Sequence, residues 1–224
     1  MKSIYLIVLC IGLSITRSNS QENIELKTWT DTISYCIGLD IGKNLKNQSI
    51  EINPTTLARA ISDVSAGKPT TISEQDAQSV MLKLRQDRVK AIGEKNKREG
   101  DAFLEHNKTQ EGVKTTASGL QYKILKAGDG PQPKATDKVV VHYVGTLIDK
   151  TEFDSSLKRG TPTTHPVNGF IKGWSEALQL MSVGSKWQLF IPSDLAYGPQ
   201  GTGKIIGPNA TLIFEIELLS ISNE

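Results

Sequence analysis

The stretch RQDRVKAIGEKNKREGD, Arg85 to Asp101, constrains the chain more than any other. It is rich in helix formers yet charged on nearly every face. A helix of this kind has no apolar stripe to bury, so it bridges between bodies through solvent rather than joining a core. The plainer alternative is the wet face of an ordinary bundle helix. What lies before this segment and what lies after it follow different patterns.

The segment before it is helical. In TDTISYCIGLDIGKNL, Ile33, Ile37, Ile41 and Leu45 recur every fourth residue and make one apolar face. NPTTLARAISDVSAGKP supplies Asn53 as a cap, Pro54 at the first helical position and Gly67 past the end, with Leu57, Ala60, Ile61 and Val64 as its stripe. The charged helix starts at SEQD, where Ser73 and Asp76 resemble a capping box. Two short amphipathic helices are little core for one chain. A second copy would supply the missing cover, so residues 21–72 are expected to form a homodimer.

The first twenty residues, MKSIYLIVLCIGLSITRSNS, read as a secretory leader: Lys2, an apolar run from Ile4 to Ile15, then small polar residues before a cut near Gln21. An uncleaved anchor is the alternative, but the run falls short of the roughly 20 residues a spanning helix needs. The mature chain is therefore expected to lack a transmembrane span and to be exported, to the periplasm or outer surface of a bacterium. Of 26 basic residues the leader removes Lys2 and Arg17 and no acid, leaving basic and acidic residues in balance. Without a basic stripe, nucleic acid is excluded as a partner. Cleavage also leaves Cys36 as a single cysteine, read as a small buried hydrophobe. His106, His142 and His165 are scattered without ligand spacing, so neither metal nor other cofactor is expected.

After residue 115 the pattern turns to strands and glycines. LQYKILKAG, DKVVVHYVGTLI, SKWQLFIPS and ATLIFEIELLSI read as strands. Between them GWSEALQLM is a short helix, with Trp174, Ala177, Leu178 and Met181 on one face. Residues 116–224 are thus an α+β domain, an antiparallel sheet wrapped around one short helix, following a long connecting helix at 73–115. Trp174 lies at that helix's entrance, an odd place for a large aromatic unless it faces a pocket.

VHYVGTL, FDSS, GWSEALQLMSVG, AYG and IIGPNATLIFEIELL stand in this order over about a hundred residues. Together they resemble the FK506-binding-protein (FKBP) type peptidyl-prolyl isomerases. The helical front half, with its leader, resembles the dimerisation domain of exported bacterial members of the macrophage infectivity potentiator (Mip) and FkpA type. The resemblance implies cis–trans isomerisation of X–Pro bonds in unfolded or partly folded polypeptides, with no cofactor. It implies an apolar proline pocket floored by Trp174. Tyr143, Asp154 and Tyr197 would be its catalytic residues. Phe153, Phe170, Ile171, Trp174, Ile205, Ile206 and Phe214 would bind substrate, with an N–H from Ile171 and with Ile205 and Ile206 overhanging the site. Asp154 is also expected to cap the FDSS turn. Thr163 and His165 stand where the family often has aromatics, so the rim is more polar. Macrocyclic inhibitors such as FK506 and rapamycin are implied ligands, their affinity left open by that rim. A chaperone or binding module with incidental isomerase activity is the rival reading.

Overall fold

A computed structural model describes residues 24–222. The expected leader lies outside them. The chain divides into two compact units, one ending at Thr71 and one running from Ile72 onward.

The first unit is helical. Helix α1 spans Trp29–Asn47, and Thr28 and Asp31 cap it reciprocally. Helix α2 spans Pro54–Ser65, with Asn53 Oδ1 accepting from the N–H groups of Thr55 and Thr56 at 3.0 and 3.1 Å. The expected stripes form in part, with Ile33, Ala60 and Val64 outside the hollow that the other members line. Ile37, Ile41 and Leu45 of α1 and Leu57, Ala58 and Ile61 of α2 line one apolar hollow. The hollow is open, however. No residue of α1 is buried, and Asp63, paired with Arg59, is the buried residue of α2. Cys36 is exposed rather than buried, because among the described residues none covers its helix.

The second unit begins with α3, Glu74–Asn107, and continues through β1 (Val113–Thr115), β2 (Gln121–Lys126), β3 (Lys138–Leu147) and β4 (Glu152–Ser155). The single turn α4 (Ser156–Arg159), β5 (Thr163–Pro166), α5 (Lys172–Leu180), β6 (Lys186–Ile191) and β7 (Leu212–Ser222) follow. All pairings are antiparallel, in the order β1-β2-β6-β7-β3-β4. The far side of β3 is shared. β4 pairs near its C-terminal end at Val144–Thr146, and β5 near its start at Lys138–Val141. This broken edge, bridged by α4, later supplies polar groups to the site.

Helix α5 lies across one face. Ala177, Leu178 and Met181 are fully buried against Val139, Val141, Leu189, Ile191, Leu212 and Ile216. Burying each such aliphatic side chain contributes about 1.5–3 kcal/mol. Phe190 of β6, between the core residues Leu189 and Ile191, is met by Phe103 of α3 with ring centroids 5.9 Å apart. Buried Asn107 donates to Gln121 at 2.8 Å, and Gln121 donates to the Leu104 carbonyl at 2.9 Å. The charged helix is therefore not solvated on all sides. Its C-terminal half is seated through glycines and amides, residues that carry no apolar stripe for periodicity to show. No described helix is long and apolar enough to cross a membrane.

Candidate active site

The entrance of α5 opens a cavity of about 520 Å³, within the range of small-ligand sites. Tyr143, Phe153, Asp154, Phe170, Ile171, Trp174, Tyr197, Ile205, Ile206 and Phe214, every site residue expected from the sequence, line it. The sequence reading missed Arg159 beside it, and the loop residues Thr202, Gly203 and Lys204 in its wall.

The floor is a set of aromatic rings, three of the pairs meeting edge to face and Phe170 tilted at 34° to Trp174. Trp174 lies 5.0 Å from Tyr143 at 85°, 5.0 Å from Phe214 at 86°, and 4.8 Å from Phe170. Phe153 meets Phe214 at 5.4 Å and 84°. Such pairs are worth about 0.5–1.5 kcal/mol each beyond the area they bury. Gly145 makes the arrangement possible, since a Cβ there would fall 2.6 Å from the Phe153 ring and 2.7 Å from that of Phe214. Among the described residues the buried Trp174 Nε1 has no acceptor, and the indole is held by ring packing. Trp174 and Phe214 are at once core and pocket. Of the two isoleucines, Ile206 turns inward to 8% exposure while Ile205 stays half exposed.

One wall is polar and tightly bonded. The Tyr143 hydroxyl donates to Asp154 Oδ2 at 2.5 Å and accepts from Arg159 Nη2 at 2.9 Å. Arg159 also pairs with the other Asp154 oxygen and lies over the Tyr143 ring, 5.5 Å from its centroid. The fold brings these together through the broken edge. Asp154 is the last residue but one of β4, and one turn of α4 returns Arg159 to it. Asp154 does not cap this turn; Ser155 does, accepting from the Lys158 N–H at 3.2 Å. Buried Ser156 pins the β3 backbone, accepting from the Tyr143 N–H at 2.8 Å and donating to its carbonyl at 3.2 Å. A four-residue helix has no periodicity to read, which is why Arg159 was not found.

Burial, then the bond to Asp154, raise the Tyr143 pKa above the ordinary phenol value, with Arg159 opposing. Tyr197 is raised by burial and then by the charge of Asp154. Both phenols are therefore neutral donors at physiological pH. At the rim, His165 meets Phe170 edge-on at 4.9 Å, and Thr163 lies 3.4 Å from Arg159. Among the described residues the Ile171 N–H makes no backbone hydrogen bond, as an orphan donor at a helix start. Among the described residues no cluster of His, Cys, Asp and Glu could hold a metal.

Comparison with known proteins gives this geometry a family. The family model described as FKBP-type peptidyl-prolyl cis-trans isomerase matches residues 130–219. That for the domain amino terminal to FKBP-type peptidyl-prolyl isomerase matches residues 30–124. "Outer membrane protein MIP" of Legionella longbeachae is 45% identical over 99% of this chain and 97% of its own. "Peptidyl-prolyl cis-trans isomerase Mip" of Coxiella burnetii is 40% identical, with both chains wholly covered. The crystal structure of FkpA from Escherichia coli superposes with a TM-score of 0.71 at 33% identity, covering 88% of this chain and 99% of that one.

Proposed function

This chain belongs to the FKBP-type peptidyl-prolyl cis-trans isomerases, and on that premise we propose that it is an exported homodimer, joined through residues 21–72, that speeds the folding of other exported proteins. The proline seat is the aromatic cavity over Trp174, and that cavity is the observation that carries the reading.

Rotation about an X–Pro bond must break amide resonance, against a barrier of about 18–20 kcal/mol. Uncatalysed exchange takes tens to hundreds of seconds, slow enough to limit folding. A catalyst needs no bond to the substrate. It must bind the twisted amide better than either planar form. Twisting diminishes the charge separation between nitrogen and oxygen, so a water-poor aromatic cavity favours the twisted state. The proline ring would rest on Trp174 between Phe153, Phe170 and Phe214 while the acyl side turns. Ile171 N–H and the Tyr197 hydroxyl are the donors for substrate carbonyls. Tyr143 gives its one O–H to Asp154, so this pair orients the amide as a fixed polar wall, and Arg159 keeps it in place. A thousandfold acceleration requires about 4 kcal/mol of such differential binding.

The dimer reading rests on the open hollow between α1 and α2. Two linked cavities would raise the effective concentration of the second site for a client already held at the first. Macrocycles such as FK506 and rapamycin would enter the same cavity, over a rim made polar by Thr163 and His165. The test is refolding of a protein whose slow phase is limited by a trans-to-cis proline. Catalytic amounts of this chain should abolish the slow phase, and a Tyr143→Phe, Asp154→Val variant should not. An unchanged slow phase with well-folded chain would rule the reading out.

A further inference from the structure

Helix α3 lies on the catalytic unit through a narrow strip. Its buried residues are Gly93, Gly100 and Asn107, every seventh position and so one face of the helix. A Cβ on Gly93 would lie 3.2 Å from both Asn209 Nδ2 and Pro208 Cβ, and one on Gly100 only 2.3 Å from Thr211 Oγ1. The helix backbone thus rests directly on the segment from Gly207 to Thr211, the stem of the loop that reaches back over the cavity.

Two asparagines fasten that contact from opposite sides. Asn96 Nδ2 donates to the Pro208 carbonyl at 2.8 Å, and Asn209 Nδ2 donates to the Gly93 carbonyl at 3.3 Å. Asn209 has φ +53°, a left-handed conformation that asparagine tolerates better than most residues. Its own N–H donates to the Gly198 carbonyl at 2.8 Å, and the Thr202 N–H donates to Ile206 at 2.8 Å, so the loop is closed on itself. Tyr197, Lys204 and Ile205 reach the cavity wall from this loop. With glycines at 198, 201, 203 and 207, such a segment has many conformations open to it when untied. A wall ordered before substrate arrives spares binding the entropy of ordering it.

We propose that α3 is the post to which the cavity loop is tied, and that Asn96 and Asn209 are positioning residues for proline binding. They touch no substrate; they act through Tyr197 and Ile205. The inference rests on the isomerase reading for its consequence in turnover, but not for its consequence in the loop.

The test uses the full chain with Asn96→Ala and with Asn209→Gly, the second keeping the left-handed backbone while removing the side-chain bond. Two quantities are read: kcat and KM on a proline tetrapeptide, and amide hydrogen exchange along the chain. Loss of one such hydrogen bond should raise KM by about three- to tenfold while kcat holds. The amides of Thr202 and Asn209 should exchange at least about tenfold faster, with β6 and β7 unchanged. A purely structural role predicts otherwise: kcat falls with the folded fraction and KM stays fixed. That pattern, or loop exchange equal to wild type, would overturn the proposal. Should wild-type chain fail to turn over the peptide, the isomerase reading falls, and loop exchange alone decides whether the post exists.

Discussion

The two units of this chain solve the burial problem in opposite ways. In the catalytic unit Leu178, Leu189, Ile191 and Ile216 have no exposed surface, and α5 and the sheet share one continuous core. In the helical unit Ile37 remains 56% exposed and Ile61 52%, though both sit on faces made for burial. One unit has its core complete within the single chain; the other leaves its apolar faces open. An amphipathic pattern therefore marks an apolar face without saying what covers it. It also explains why chemistry resides in the complete unit, since a site held to fractions of an ångström needs walls that do not depend on a partner.

The comparison can be broken at several points. Ile41→Glu would place a charge in the α1–α2 hollow, and we expect it to weaken dimerisation by about a hundredfold or more by analytical ultracentrifugation. Turnover per chain on a short peptide should stay within about twofold, because the cavity draws on no residue of this unit. A dimer unaffected by the charge would mean that the second copy docks elsewhere. In the complete unit Leu178→Ala should cost about 2–5 kcal/mol, seen in denaturant unfolding of the sheet with the helical transition unmoved. Gly100→Ala, which drives a methyl into Thr211, should cost about 1–3 kcal/mol, and Thr211→Ala should recover much of it. Asn53→Ala removes the α2 cap and should cost about 1 kcal/mol, confined to the helical unit.

The smallest effect is electrostatic. Because folding raises the Tyr143 pKa, the neutral phenol is the favoured form. Its contribution is fully present below the unfolded value of 10.0 and is lost as pH rises through the higher folded one. Difference titration of phenolate absorbance between wild type and Tyr143→Phe should place the missing chromophore above that ordinary value. A lower value would show that Arg159 outweighs burial and Asp154.

Much of this is legible in the sequence. Asn53, Pro54 and Ser73 marked helix starts because capping is local chemistry. Trp174, Ala177 and Leu178 mark the face of α5, and Met181 follows its last residue, because a periodic stripe needs only neighbours in sequence. The lining of the cavity was legible through the family's motifs. The short strands β1, β4 and β5 do not stand out in the sequence, since three or four residues cannot establish alternation. Arg159 escaped because it reaches Tyr143 through a single turn, and the seat of α3 because glycines and asparagines carry no stripe. Exposed Cys36 was misjudged for a different reason. Its helix is apolar on one side, yet nothing among the described residues covers it.

The central claim is that the cavity over Trp174 twists X–Pro amides. The direct measurement is the cis-to-trans rate of a proline tetrapeptide, with full chain and with its Tyr143→Phe, Asp154→Val variant. A large acceleration by the parent that falls by about tenfold or more in a folded variant is the predicted result, a loss of roughly 1.4 kcal/mol or more in transition-state binding. No acceleration by a well-folded parent, or equal acceleration by the variant, would contradict it.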